Sequence, residues 1–247
     1  MSIIRRDAFR FTLIELLVVV ALTSMLMGLG VPAFVRMIRG NKVDECARNI
    51  KLGLEQAQMR AASERCKAAV IFPSGDNVTE ALKPYRLGGF RTAFVKNRGS
   101  LKVFNFVRWL DPEWRGQPNG AMLVKVGTSS FTSAGESASG ADVTGCTEKI
   151  TDELAGSGSL YEISSVKEIQ GNSTVSVNVG KNTAIVFTPS GGIDGQNNLF
   201  LLISEAAVDG DAVRYPTAKT VGDGRTSNYK VLKVNKLTGR VEFYDED

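Results

Sequence analysis

The sequence predicts an α+β protein: one long N-terminal helix, transmembrane in its first half, followed by an antiparallel β-rich globular domain. Three observations predict this. Leu16 to Val35 is a run of 20 residues without a charge, about the length that crosses a hydrocarbon core of roughly 30 Å at 1.5 Å per residue. Beyond it, Val43, Ala47, Ile50, Leu54, Ala57 and Ala61 recur at steps of three and four, which is one face of a helix. From Cys66 the apolar period shortens to two, and β-branched and aromatic residues gather in short runs.

Composition narrows the function classes. The chain has 247 residues, 43% hydrophobic and 23% charged, as in ordinary folded proteins. About 180 residues remain beyond the helix, enough for one domain with its own core. The net charge of +4 is too mild to imply nucleic-acid binding by itself. There is no histidine, which excludes Ser-His-Asp and Cys-His catalysis and every histidine-containing metal site. No motif specifies paired carboxylates or a Ser/Lys pair, so an enzyme is not expected, nor a cofactor.

The elements follow in order. Residues 1–10 form a basic leader carrying Arg5, Arg6 and Arg10. Positive flanks stay cytoplasmic, so the chain beyond Val35 is expected outside the cytoplasm. An ordinary secretory signal would instead be cut after its apolar core, near Gly28, Gly30 or Ala33. Residues 11–35 are the expected membrane span. Glu15 is an acid at its edge, expensive in lipid, and therefore a functional candidate. Pro32, with Gly28 and Gly30 beside it, interrupts the run and is expected to bend the helix. Residues 36–65 continue the helix as an amphipathic extension. Its apolar stripe serves either the chain's own domain or neighbouring helices, and the pattern leaves both open.

Residues 66–247 form the β-rich domain. Strands are expected at 68–72, 91–95, 101–107, 121–126, 174–179, 184–188, 199–203, 229–235 and 240–244. Residues 97–100 are a turn, and 236–239 close a hairpin. Gly127 to Gly158 is rich in Ser, Gly, Thr and Ala, and reads as a long exposed loop with a short helix near 151–154. The Gly-rich turns precede no helix in the manner of a phosphate loop.

The three cysteines, Cys46, Cys66 and Cys146, match no metal signature. Cys46 and Cys66 on one helix would stand about 30 Å apart, too far to pair. Candidate disulfides are Cys66–Cys146, which would tie the long loop to the helix end, or Cys46–Cys146. The alternative is three small buried apolar side chains. Asp209, Asp211 and Asp223 offer oxygen ligands, but their spacing is not that of an EF-hand, and no metal is expected.

Phe11-Thr-Leu-Ile-Glu15, behind a short basic leader and ahead of a single apolar helix, resembles the class III signal of type IV pilins and type II secretion pseudopilins. The resemblance implies that a prepilin peptidase cuts between Arg10 and Phe11 and methylates the new Phe11 amine. It further implies that this amine and Glu15 help dock subunits in a helical filament. The family usually has Gly before the cut; here it is Arg10. Pro32 stands where pilins carry a helix-bending proline. The helix from Ala47 to Ala62 resembles that of H-type minor pseudopilins and related minor pilins. Ile185-Val-Phe-Thr-Pro-Ser-Gly191 and Lys233-Val-Asn-Lys-Leu-Thr-Gly-Arg-Val241 are similar to the C-terminal half of that domain.

The implied function is structural: a minor pilin or pseudopilin of a type IV pilus or type II secretion pseudopilus. Its implied partners are other such subunits, the prepilin peptidase and the inner membrane, crossed once. Two alternatives stand beside it. One is a DNA-uptake minor pilin using Arg240 with Lys230, Lys233 and Lys236, which the acidic tail from Glu242 to Asp247 opposes. The other is a membrane-anchored protein that does not polymerise.

Overall fold

The computed structural model describes residues 13–75, 77–99, 103–118, 120–128, 143–144, 147–149, 160–170, 173–210, 212–215, 218–219 and 228–244. Side chains are not described for residues 29–40, for residue 170, or for the short strands at 143–144, 147–149 and 218–219. The chain divides into two compact units, Met1–Gly40 and Asn41–Asp247.

Helix α1 (Leu13–Glu64) continues as secondary structure through Gly28, Gly30 and Pro32. The bend expected at Pro32 falls among side chains outside those described. Past Arg65, which takes a left-handed φ of 52° to end the helix, the strands begin. In chain order they are β1 (Lys67–Ile71), β2 (Gly89–Asn97), β3 (Val103–Trp109), β4 (Arg115–Gly116), β5 (Met122–Gly127), β6 (Val143–Thr144), β7 (Thr147–Lys149), β8 (Glu162–Ser164) and β9 (Lys167–Gln170). Next come β10 (Ser173–Ser176), β11 (Ala184–Phe187), β12 (Leu199–Ser204), β13 (Ala207–Asp209), β14 (Ala212–Arg214), β15 (Ala218–Lys219), β16 (Tyr229–Val234) and β17 (Val241–Tyr244). A 3₁₀ turn, Glu80–Tyr85, lies between β1 and β2.

Two sheets carry the second unit. One runs β11-β1-β2-β3-β8, with β4 paired to β2, and the other runs β17-β16-β12-β5. The α+β class is therefore as the sequence predicts. One pairing departs from the antiparallel expectation: β3 and β8 are parallel, with Val103 opposite Glu162. The chain has room to cross back between them because more than fifty residues separate the two strands.

The alternation along each strand sorts side chains between layers. In β1, Ala68 and Val70 join the main core, while Ala69 and Ile71 join a second cluster on the opposite face. In β11, Ile185 and Phe187 face the main core, and Ala184 and Val186 the second cluster. In β12, Leu199, Leu201 and Ile203 face the main core, and Phe200 and Leu202 pack with Val231 on the other side. A strand with apolar residues on both faces is one that is covered on both faces.

The helix stripe is the common partner. Val43, Ala47, Ile50, Leu54, Ala57 and Ala61 are all 0–1% exposed, and all belong to the main core together with residues of both sheets. The question the sequence leaves open is settled here: the stripe packs on the chain's own domain. Small residues allow the close approach. A Cβ added at Gly53 would sit 2.2 Å from Cε2 of Phe90, itself 1% exposed. Polar ties join helix to sheet at the far end. Gln58 Nε2 donates to the carbonyls of Gly191 (3.1 Å) and Thr238, so both glycine turns are pinned to α1.

Three expectations are corrected. The strand expected at 174–179 stops at Ser176, and Val177 N–H adds one more rung to the same ladder by donating to Val166 O at 2.9 Å. Beyond it the Asn178 and Val179 carbonyls turn to other partners, accepting from Thr79 and Ser74. The region read as a loop, 127–158, holds β6 and β7, which pair with β15 and β14. Their partners lie some seventy residues away, where no local periodicity reaches. β4, β8, β9, β13, β14, β15 and the 3₁₀ turn were not expected, since most are too short to show a period. The helix expected near 151–154 lies outside the described residues.

Burial separates Leu54 from Leu52 two positions away, which is 49% exposed. Leu54→Ala should lower stability by about 2–5 kcal/mol. Leu52→Ala should change it by about 0.5 kcal/mol or less. Thermal melts of the two variants check this; equal losses would contradict the assigned face.

Candidate functional site

The N-terminal half of α1 carries the family-like signal. Arg10 and Phe11 lie outside the described residues. Glu15 sits in the first turn of the helix and is exposed, the end where the helix dipole favours a carboxylate. Around it the helix is apolar on every side. Leu13 is 81% exposed and Met25, Leu26 and Met27 are 68–70% exposed, with Ile14, Leu16, Leu17, Val18, Val19, Val20 and Leu22 between. A soluble helix normally hides one such face; a helix apolar all round needs lipid or other helices about it.

The few hydroxyls in this segment are satisfied from within. Thr23 Oγ1 donates to the carbonyl of Val19 at 2.9 Å, and Ser24 Oγ to that of Val20 at 2.7 Å. That bonding removes the cost of an unpaired hydroxyl in an apolar surrounding. Among the described residues, no helix is long and apolar enough to cross a membrane. The end of the expected span, residues 29–35, falls among residues whose side chains are outside the description.

The C-terminal half of α1 presents a different outer face. Glu45, Arg48, Leu52 and Met59 are exposed there, opposite the buried stripe. Lys51 and Glu55 approach to 3.8 Å on its flank, a surface pair that contributes little.

The cysteines separate by environment. Cys46 is 0% exposed within the main core, and burial, helped by Glu45, pushes its thiol up to about 12. It behaves as a small apolar core residue. Cys66 is an exposed free thiol just past the helix end, and Cys146 lies outside the described residues.

The candidate DNA contact is engaged. Arg240, 76% exposed, holds Glu242 through Nε at 2.9 Å. Lys230 faces Asp44 at 3.7 Å, and Lys233 lies near the Phe200 and Tyr244 rings at 6.0 and 5.9 Å. Carboxylates beside these cations compete with any phosphate. Asp211 and Asp223 lie outside the described residues, and among the described residues no cluster of metal-ligating side chains occurs.

The sequence reading missed a buried ionic and aromatic network on the outer face of the first sheet. Arg91, 8% exposed, pairs with Glu168 at 3.1 Å, donates to the carbonyls of Asp111 and Pro112, and lies 4.0 Å over the Trp109 ring. Burial lowers its pKa from the ordinary value, and Glu168 and Asp111 oppose that shift. Trp114 Nε1 donates to the same Glu168 carboxylate. Nearby, Tyr161 has its hydroxyl pushed up to about 12, mainly by burial and then by Asp194, which also pairs with Lys67. Every charge in these groups is matched, which marks them as structural. A charged Arg91 within a strand of apolar neighbours was the one sequence signal available.

No family model matches the sequence, and no curated protein matches it. Among solved structures, the type IV minor pilin FimU of Pseudomonas aeruginosa (strain PAO1) is similar over 83% of this chain and 90% of that chain. The identity is 11% and the TM-score 0.38, a likeness that carries no argument.

Buried Cys46 yields a direct test. In the native chain at pH 8 it should resist alkylation by iodoacetamide and react fully once the chain is unfolded in guanidinium. Rapid native labelling at Cys46, read by peptide mass spectrometry, would contradict its place in the core.

Proposed function

We propose that this chain is a structural subunit, a minor pilin or pseudopilin, that assembles through its N-terminal helix into a type IV pilus or type II secretion pseudopilus. One observation carries the reading: the helix is apolar on all sides over its described N-terminal stretch, with a lone acid, Glu15, in the first turn. Such a surface has two stable fates. It dissolves in a bilayer as a pool of single subunits, or it packs against equivalent helices. The two fates exchange when a filament grows from a membrane.

The division of labour along α1 supports this. From Val43 the helix spends its apolar stripe on its own sheets, so what it offers to neighbours comes from the N-terminal half. In the proposed assembly, leader removal between Arg10 and Phe11 frees an amine. Glu15 of an adjacent subunit pairs with it in a low-dielectric core, where attraction between placed charges is strong. The chain would then sit in the inner membrane, crossed once, with the sheets outside the cytoplasm.

Glu15→Ala should reduce incorporation into sheared filaments by at least about tenfold, the equivalent of about 1.4 kcal/mol per contact, while the melting temperature of the sheets stays unchanged. Normal incorporation would refute the docking role. Mass spectrometry of the mature N-terminus should find methylated Phe11. An intact leader would favour the membrane-anchored protein that does not polymerise.

A further inference from the structure

A groove of about 460 Å³ lies along β3 and the turn between β8 and β9, lined by Arg98, Asn105, Phe106, Val107, Ser165 and Lys167. Its size falls within the range of small-ligand sites. Two of its six lining residues are cations and none is an acid. Arg98 and Lys167 are exposed, and neither makes an ion pair among the described residues. That differs from Arg91, Arg108, Arg115 and Arg240, each of which holds a carboxylate.

The remaining lining groups have a distinct chemistry. Phe106 contributes a half-buried ring, 4.9 Å from Trp109 between centroids. From there the rings continue to Trp114 at 5.5 Å and Tyr85 at 6.0 Å, so both tryptophans of the chain belong to this row. Asn105 accepts from Ser164 Oγ at 2.7 Å through Oδ1, leaving its amide nitrogen as a donor. Ser165 is exposed at the turn, with a left-handed φ of 59°.

The geometry points to a binding site for an acidic oligosaccharide, a sugar chain that carries its one carboxylate on a terminal unit. The cations supply charge-assisted hydrogen bonds to a carboxylate. The ring suits the apolar face of a sugar, and the amide and hydroxyl suit its hydroxyl groups. A single-stranded nucleic acid would also use cations and rings, but it carries a phosphate at every unit. A strand continuing over Trp109 and Trp114 would meet Asp111, Glu113 and Glu168, the three carboxylates gathered around Arg91. Those acids oppose a chain charged at every unit, a polyphosphate or a polyuronate alike, and tolerate neutral sugar units running on from a single carboxylate held by Arg98 and Lys167. The site stands on the groove alone and does not depend on filament assembly.

The test is a titration of the full chain in detergent with 3′-sialyllactose, the matched neutral lactose, and a short oligothymidylate at one ionic strength. Sialyllactose should bind at least about tenfold more tightly than lactose. Arg98→Gln and Lys167→Gln should each weaken it about fivefold or more, with unchanged melting temperatures because both side chains are exposed. Phe106→Leu, which keeps an apolar group in the second cluster, should weaken it as well. The assignment is overturned if the acidic and neutral sugars bind alike or not at all, if both cation variants bind as the parent does, or if the oligothymidylate binds more tightly than sialyllactose.

Discussion

The burial of one helical stripe against two sheets holds the second unit together. Seven side chains of α1, from Val43 to Ala61 and including Cys46, enter a single core with residues of β1, β2, β5, β11, β12, β16 and β17. The two main sheets are covered on their inner faces together with that stripe and on their outer faces by two smaller clusters. Alanines at 47, 57 and 61 and glycine at 53 keep the helix surface low, so the strands come close enough to exclude water. Close packing of this kind makes the core sensitive to each methylene within it.

The same constraint sorts the helix into two halves with different surroundings. The C-terminal half gives its apolar face to its own domain and shows charge on the other side. The described N-terminal stretch, residues 13–28, shows apolar side chains in every direction and satisfies Thr23 and Ser24 from its own backbone. The proposed assembly role follows from that asymmetry together with the lone acid in the first turn.

The outer face of the first sheet shows how matched and unmatched charges divide labour. Arg91, Glu168 and the two tryptophans form a closed network in which the guanidinium is nearly buried and fully engaged. A few residues away, Arg98 and Lys167 flank a groove that holds no acid. Burying a charge costs free energy unless it is paired, and the paired set lies inside while the unpaired set faces solvent.

Much of this was legible in the sequence alone, for a physical reason. Helix and strand periodicity are local, so the helix stripe, the strands β1, β2, β3, β5, β11, β12, β16 and β17, and the closing hairpin could be read from neighbours a few residues apart. Glu15 stood out because an acid beside a long apolar run is costly whatever its partner. What only the tertiary structure decided involves residues far apart in the chain. It consumed the stripe in the domain's own core, turned Asn178 and Val179 from the tenth strand toward Thr79 and Ser74, and gave the supposed loop two short strands. It also buried Cys46 and Arg91, and placed Lys167 beside Phe106. Each of these outcomes depends on which distant segment comes to lie alongside, and no local pattern encodes that choice.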